Sequence, residues 1–231
     1  MKSYLVILLI VITAQVSEAQ ESETYKPAAG QHNLEVQLRP LSTAPIAING
    51  IRYRKFISPN EAIRLNAFLN MSSETTISQQ ADKTNNIPAL EDKYSQIGIN
   101  LRPGYEKHLA GTDRLSPYFG GELDIAIQGS KYKEEYYLAQ EVEHILTKNE
   151  NGFWRFGVNA VAGFDYYIAK QLYLGSEIGF GFSFVRNRDV KTEYSNKNAF
   201  GVTENPDPFE RGSAFNFGPN ANAAIRLGYI F

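Results

Sequence analysis

Between Trp154 and Ile168 the chain reads WRFGVNAVAGFDYYI, and every second residue is apolar or aromatic: Trp154, Phe156, Val158, Ala160, Ala162, Phe164, Tyr166 and Ile168. The residues between them, Arg155, Gly157, Asn159, Val161, Gly163, Asp165 and Tyr167, are mostly small or polar. A period of two places the sets on opposite faces of a β-strand. The run exceeds the roughly five or six residues of an ordinary globular strand.

The same alternation recurs along the chain. Leu172–Phe184 sets Leu174, Ile178, Phe180, Phe182 and Phe184 against Tyr173, Gly175, Glu177, Gly179 and Gly181. Phe215–Phe231 repeats it, with Pro219 interrupting near its start, where a strand tolerates proline best. Weaker versions run over Asn33–Pro40, Ile51–Ile57, Ala62–Met71, Lys93–Glu106 and Pro117–Gly129. Ile51–Ile57 is the least regular, because Lys55 falls on its apolar face. The expected count is eight strands.

Residue type assigns a solvent to each face. A soluble sandwich turns its apolar faces inward; a membrane sheet inverts this and must close, since lipid cannot pair a free edge. Segments of about ten residues match a tilted crossing. Glycine recurs on the polar face, where it relieves crowding in a narrow interior. Connections sort by parity: Ser58–Glu61, Lys107–Ser116 and Ala169–Gln171 are short, whereas Ser72–Asp92, Lys131–Gly152 and Arg186–Ser213 are long, with Leu41–Gly50 on the same side. Tyrosines gather at strand ends, as at a headgroup layer. The expectation is an all-β, eight-stranded antiparallel transmembrane up-and-down β-barrel over residues 33–231.

The N-terminus agrees with export. Lys2, the apolar run Tyr4–Ile12 and the Ser17-Glu18-Ala19 site read as a signal peptide over residues 1–19, cleaved before Gln20. Residues 20–32 read as a flexible periplasmic lead-in. No later segment is apolar over the ~18 residues that a spanning helix needs.

Composition removes several functions. The chain has no cysteine, which excludes disulfides and thiolate chemistry. A net charge of -2 argues against nucleic acid. The histidines are His32, His108 and His144. Glu141, Glu143 and His144 adjoin, but not in a metal-binding spacing. Ser116 and Ser183 show no histidine partner in the sequence pattern. No catalytic, cofactor or metal residues are expected.

LRPGYEKHL (Leu101–Leu109), LSPYFGGELDI (Leu115–Ile125), GVNAVAGFDYYIAKQLYLGSEIGFGF (Gly157–Phe182) and IRLGYIF (Ile225–Phe231) carry a resemblance. They are similar to the small outer-membrane β-barrel family common in Bacteroidota, the OmpA/OmpX and porin-like group. The resemblance implies an outer-membrane location, outer-membrane lipid as partner, and a C-terminal signal, Tyr229 and Phe231, read by the barrel-assembly machinery.

The inward positions of such a protein hold both charges: Glu35, Arg39, Arg64, Arg102, Glu122, Asp124, Arg155, Asp165, Glu177 and Arg226. They are expected to pair and seal the interior, making a structural or surface-binding protein. The alternative is a narrow porin-like channel for small solutes. Loops 131–152 and 186–213 are the expected surface for an extracellular ligand. Within the first, YYLAQEVEHIL either extends a hairpin or forms a short helix.

Overall fold

The computed structural model describes residues 25–39, 47–220 and 225–231. Among the described residues there are eleven strands: β1 His32–Arg39, β2 Ala47–Ser58, β3 Glu61–Gln79, β4 Leu90–His108, β5 Leu115–Leu138, β6 Glu141–Lys148, β7 Phe153–Ala169, β8 Leu172–Asn187, β9 Lys191–Tyr194, β10 Ser213–Asn220 and β11 Ile225–Ile230. The expected signal peptide, its cleavage site and most of the Leu41–Gly50 loop lie outside the described residues.

The eight-stranded up-and-down barrel is corrected by this architecture. The strands form one eleven-stranded antiparallel sheet, ordered β10-β8-β11-β1-β2-β3-β4-β5-β6-β9, with β7 off that path and paired to β5 and β8. Its path ends at β10 and β9, and it branches where β5 and β8 change partner, so it is not a simple closed set of eight. Two physical reasons account for the extra strands. The long connections are themselves hydrogen-bonded: β3 runs on to Gln79, β4 begins at Leu90, and β5 continues to Leu138 before folding back as β6. The β3 extension over residues 72–79 is exposed on both sides and nearly all polar, so it carries no apolar alternation. The final expected strand is two elements, β10 and β11, with Pro219 near the end of the first. Of the two outcomes open for YYLAQEVEHIL, the hairpin is the one adopted, turning at Ala139 and Gln140, both with positive φ.

The sheet has a short-turn end, where β2–β3, β4–β5 and β7–β8 connect, and a long-loop end bearing the extensions. Its two faces are inverted relative to a soluble protein. Met71, Ile97, Phe119, Phe156, Ile178 and Phe182 are exposed, Met71 to 76%. The opposite face buries Arg52, Arg54, Arg64, Arg226, Glu35, Glu106 and Asp165 almost completely. Charged residues are rarely buried unless paired, so the enclosed face is where the chain's chemistry is concentrated.

Candidate functional site

Strand alternation delivers charge to the enclosed face from eight strands. β1 supplies Glu35, β2 Arg52 and Arg54, β3 Arg64, β4 Arg102 and Glu106, β5 Glu122 and Asp124, β7 Arg155 and Asp165, β8 Glu177, and β11 Arg226. Among the described residues, six arginines thus face six carboxylates. Every member is ion-paired, and the pairs form one connected network.

Arg54 is its hub. Its Nε meets Glu35 Oε1 at 2.7 Å, its Nη1 meets Glu106 Oε1 at 2.5 Å, and its Nη2 meets Asp165 Oδ2 at 2.8 Å. Nη2 also donates to the Tyr173 hydroxyl at 2.6 Å. Arg54 stands directly opposite Arg64 across β2 and β3. That like-charge pairing is offset by Glu106, whose second oxygen lies 3.2 Å from Arg64 Nη1. Arg64 further pairs with Glu122 at 2.6 Å and Glu177 at 2.7 Å. Tyr118 donates to Glu177 at 2.5 Å. Arg226 closes the other side, with Glu35 at 2.9 Å and Asp165 at 3.0 Å. Toward the long-loop end, Arg102 and Arg155 converge on Asp124 at 3.4 and 2.9 Å.

Glycine makes the longer reaches possible. Gly175 lies in register between Asp165 on β7 and Arg226 on β11. A Cβ there would stand 2.5 Å from Arg226 Nη2 and 2.7 Å from Asp165 Oδ1. Gly104 likewise separates Arg64 from Glu122, and Arg64 reaches across it.

The structure therefore brings together Glu35, Arg64, Arg102, Glu122, Asp124, Arg155, Asp165, Glu177 and Arg226. Arg39 lies on β1 opposite Ala47, and its side chain is outside the described residues. Sequence reasoning missed Arg52, Arg54 and Glu106. The alternation Arg52-Arg54-Phe56, buried against exposed Ile51, Tyr53, Lys55 and Ile57, was the available signal.

One further correction concerns Ser116. His108 Nδ1 lies 2.8 Å from Ser116 Oγ, and His108 Nε2 lies 3.1 Å from Glu106 Oε1. With Glu106 as acceptor, Nε2 donates, and in the neutral ring Nδ1 accepts from the serine hydroxyl. The order serine–histidine–carboxylate matches a nucleophile relay, but its surroundings do not. All three residues are buried, Phe56 and Tyr118 pack against the imidazole, and Glu106 is shared with two arginines. Ser116 is only 3% exposed, and the trio ties β4 to β5. Among the described residues no group of three or more acidic or histidine side chains could hold a metal ion.

At the long-loop end, Glu143 on β6 accepts from Ser195 Oγ at 2.6 Å and Asn196 Nδ2 at 2.8 Å. Those bonds hold its carboxyl below the usual 4.5. Tyr136 packs against Phe200, and burial, with help from Glu134, pushes its hydroxyl up to about 12. Both contacts fasten the segment after β9 onto the β5–β6 hairpin.

An all-β chain with its apolar residues outward and paired charges enclosed has the design of an outer-membrane sheet protein. Residues 43–191 match the family described as Putative OmpA-OmpF-like porin family, and the chain belongs to it. No curated protein matches it. Solved structures similar to it include outer membrane protein AlkL in lipid bilayers, at 14% identity over 94% of this chain and 97% of that one, with a TM-score of 0.39. Ail, the attachment invasion locus protein of Yersinia pestis, is 10% identical over 88% and 99%, with a TM-score of 0.31. Acinetobacter baumannii CarO2 is 12% identical over 87% and 96%, with a TM-score of 0.34.

Proposed function

We propose that the mature chain resides in the outer membrane as a non-conducting structural protein, with the strand extensions and loops 131–152 and 186–213 as its surface for external contacts. The carrying observation is the network of six arginines and six carboxylates on the enclosed face. A continuous water path would need some of these pairs to part, and an unpartnered buried charge costs several kcal/mol. The exposed apolar face supports lipid as its solvent, since water would leave Met71, Ile178 and Phe217 wet at considerable cost.

Insertion is assigned to the barrel-assembly machinery acting on Tyr229 and Phe231. Export follows from the segment ending at Ala19. The second reading, a narrow porin-like path for small solutes, is favoured by one feature. A cavity of about 440 Å³ opens on the long-loop half of the enclosed face, lined by Phe68, Asn70, Asn100, Gln128 and Arg155. Arg155 in its wall is ion-paired to Asp124 at 2.9 Å. Planar-bilayer recording separates the two readings. The structural reading expects no steady current from purified wild type. A stable open-channel current would replace it with the porin-like one.

A further inference from the structure

A second cavity, of about 240 Å³, lies on the other face of the sheet, at the edge of the apolar band. Its walls include Asn149, Trp154, Arg186, Arg188, Asp189 and Lys191. It forms where β5 changes partner, from β7 up to Gln128 to β6 from Lys131 onward. Trp154 stands in register opposite Arg186, and the next pair on that face is Phe156 with Phe184. The aromatic surface therefore runs straight into the cationic one.

Three cations and one carboxylate line this space. Among the described residues, Arg186, Arg188 and Lys191 have no ion pair, although every arginine of the enclosed network has at least one. The surroundings add positive charge. Lys191 lies opposite Lys148, and Lys148 opposite Lys131, in one cross-strand row. Like charges in directly opposed positions destabilise a sheet. Among the described residues, only Lys148 of the three has a carboxylate partner, Glu193 at 2.6 Å.

We propose that this cavity binds the phosphate of an outer-leaflet lipid headgroup, whose acyl chains lie along Trp154, Phe156 and Phe184. The inference rests on the membrane reading above. Guanidinium groups match phosphate oxygens in geometry and charge. Tryptophan favours the headgroup layer, where its ring is half in hydrocarbon. A soluble anion would satisfy the cations but leave the adjoining aromatic surface unused. A phosphate joined to acyl chains satisfies both, and it supplies the counter-charge that the lysine row lacks.

Trp154 is the only tryptophan in the chain, so its emission reports on this cavity. The mature protein is folded into neutral phosphatidylcholine vesicles carrying increasing lipid A, either phosphorylated or dephosphorylated. Folding is checked by heat-modifiable gel mobility and insertion by co-flotation. Phosphorylated lipid A is expected to shift the emission saturably, and the dephosphorylated form is not. The triple variant Arg186→Gln/Arg188→Gln/Lys191→Gln should raise the midpoint at least tenfold. Lys191→Gln alone, which spares both arginines, should give a smaller rise. Lys93→Gln, on the same face but outside the cavity, should leave it unchanged.

Equal midpoints in wild type and folded triple variant would overturn the site. So would an equal response to dephosphorylated lipid, or a folded, co-floating wild type with no response. Inorganic phosphate producing the same shift at matched concentration would reassign the cavity to a soluble anion. Failure to co-float would overturn the membrane reading itself, and is read separately from the emission.

Discussion

Arg54 and Asp165 are 111 positions apart in the chain, yet their side chains meet at 2.8 Å in full burial. Neither is a neighbour of the other by strand pairing, since β2 pairs β1 and β3 while β7 pairs β5 and β8. Their contact spans the enclosed space, so it ties together regions of the sheet that hydrogen bonding does not join directly.

Removing Arg54 should therefore be felt at several strands. Arg54→Ala leaves Glu35, Glu106 and Asp165 each short of a partner in a site with little water. Breaking a buried pair costs about 3–5 kcal/mol. The expected outcome is a lower urea midpoint for the detergent-folded protein, with Arg54→Met no better, since it restores volume without charge. A midpoint unchanged from wild type would show that water enters and screens the three carboxylates.

Gly175 makes a different demand. Its missing side chain is the space through which Arg226 reaches Asp165. Gly175→Val should displace one of them and destabilise the protein by about 1–3 kcal/mol, in the range of overpacked cores. Gly212→Val is the contrasting control, because a Cβ there meets nothing within 4 Å. The two variants are compared by denaturant titration, and equal midpoints would remove the argument.

The alternation of Trp154–Ile168 and Leu172–Phe184 made the faces of β7 and β8 legible from sequence, and with them the paired charges Arg155, Asp165 and Glu177. β2 was obscured because Lys55 interrupts its apolar face. Lys55 does lie on that outward face beside Ile57, and Arg52 and Arg54 hold the enclosed side. The extensions were hidden for another reason. Residues 72–79 of β3 are exposed on both faces, so no apolar periodicity marks them as strand. Their order comes from pairing with β4, a long-range hydrogen-bonding fact that a residue pattern does not encode. His108 and Ser116 sit on two strands across a turn, and only the register of β4 and β5 brings them together.

The long-loop end should respond to acid. Glu143 is held below its ordinary 4.5 by Ser195 and Asn196, so its charged form is the one that the folded contact favours. A lowered carboxyl contributes stability above its unfolded value and loses it as pH falls through the folded value. The β6 contact with Ser195 and Asn196 should be intact at pH 6 and loosen only below 4.5. Amide chemical shifts of Ser195 and Asn196, followed from pH 6 downward, should show a midpoint below 4.5 that disappears in Glu143→Gln. A midpoint at or above 4.5 would mean that these hydrogen bonds do not favour the carboxylate.

Phe231 separates a role in assembly from a role in stability. Its backbone is bonded to His32 in both directions, at 2.8 and 2.9 Å, and its ring stacks against the His32 imidazole. The side chain remains 54% exposed, so it buries little and adds little to the folded state. If Phe231 serves as a signal during insertion, Phe231→Ser should slow or reduce folding in the presence of the assembly machinery. Its effect on the unfolding midpoint of molecules that do fold should be small, because the backbone bonds to His32 survive the substitution. Folding yield read by heat-modifiable mobility, with and without the machinery, is set beside the urea midpoint of the folded fraction. A large fall in midpoint with no machinery-dependent loss of yield would make Phe231 a packing residue, and would leave the chain without the insertion signal assigned to it.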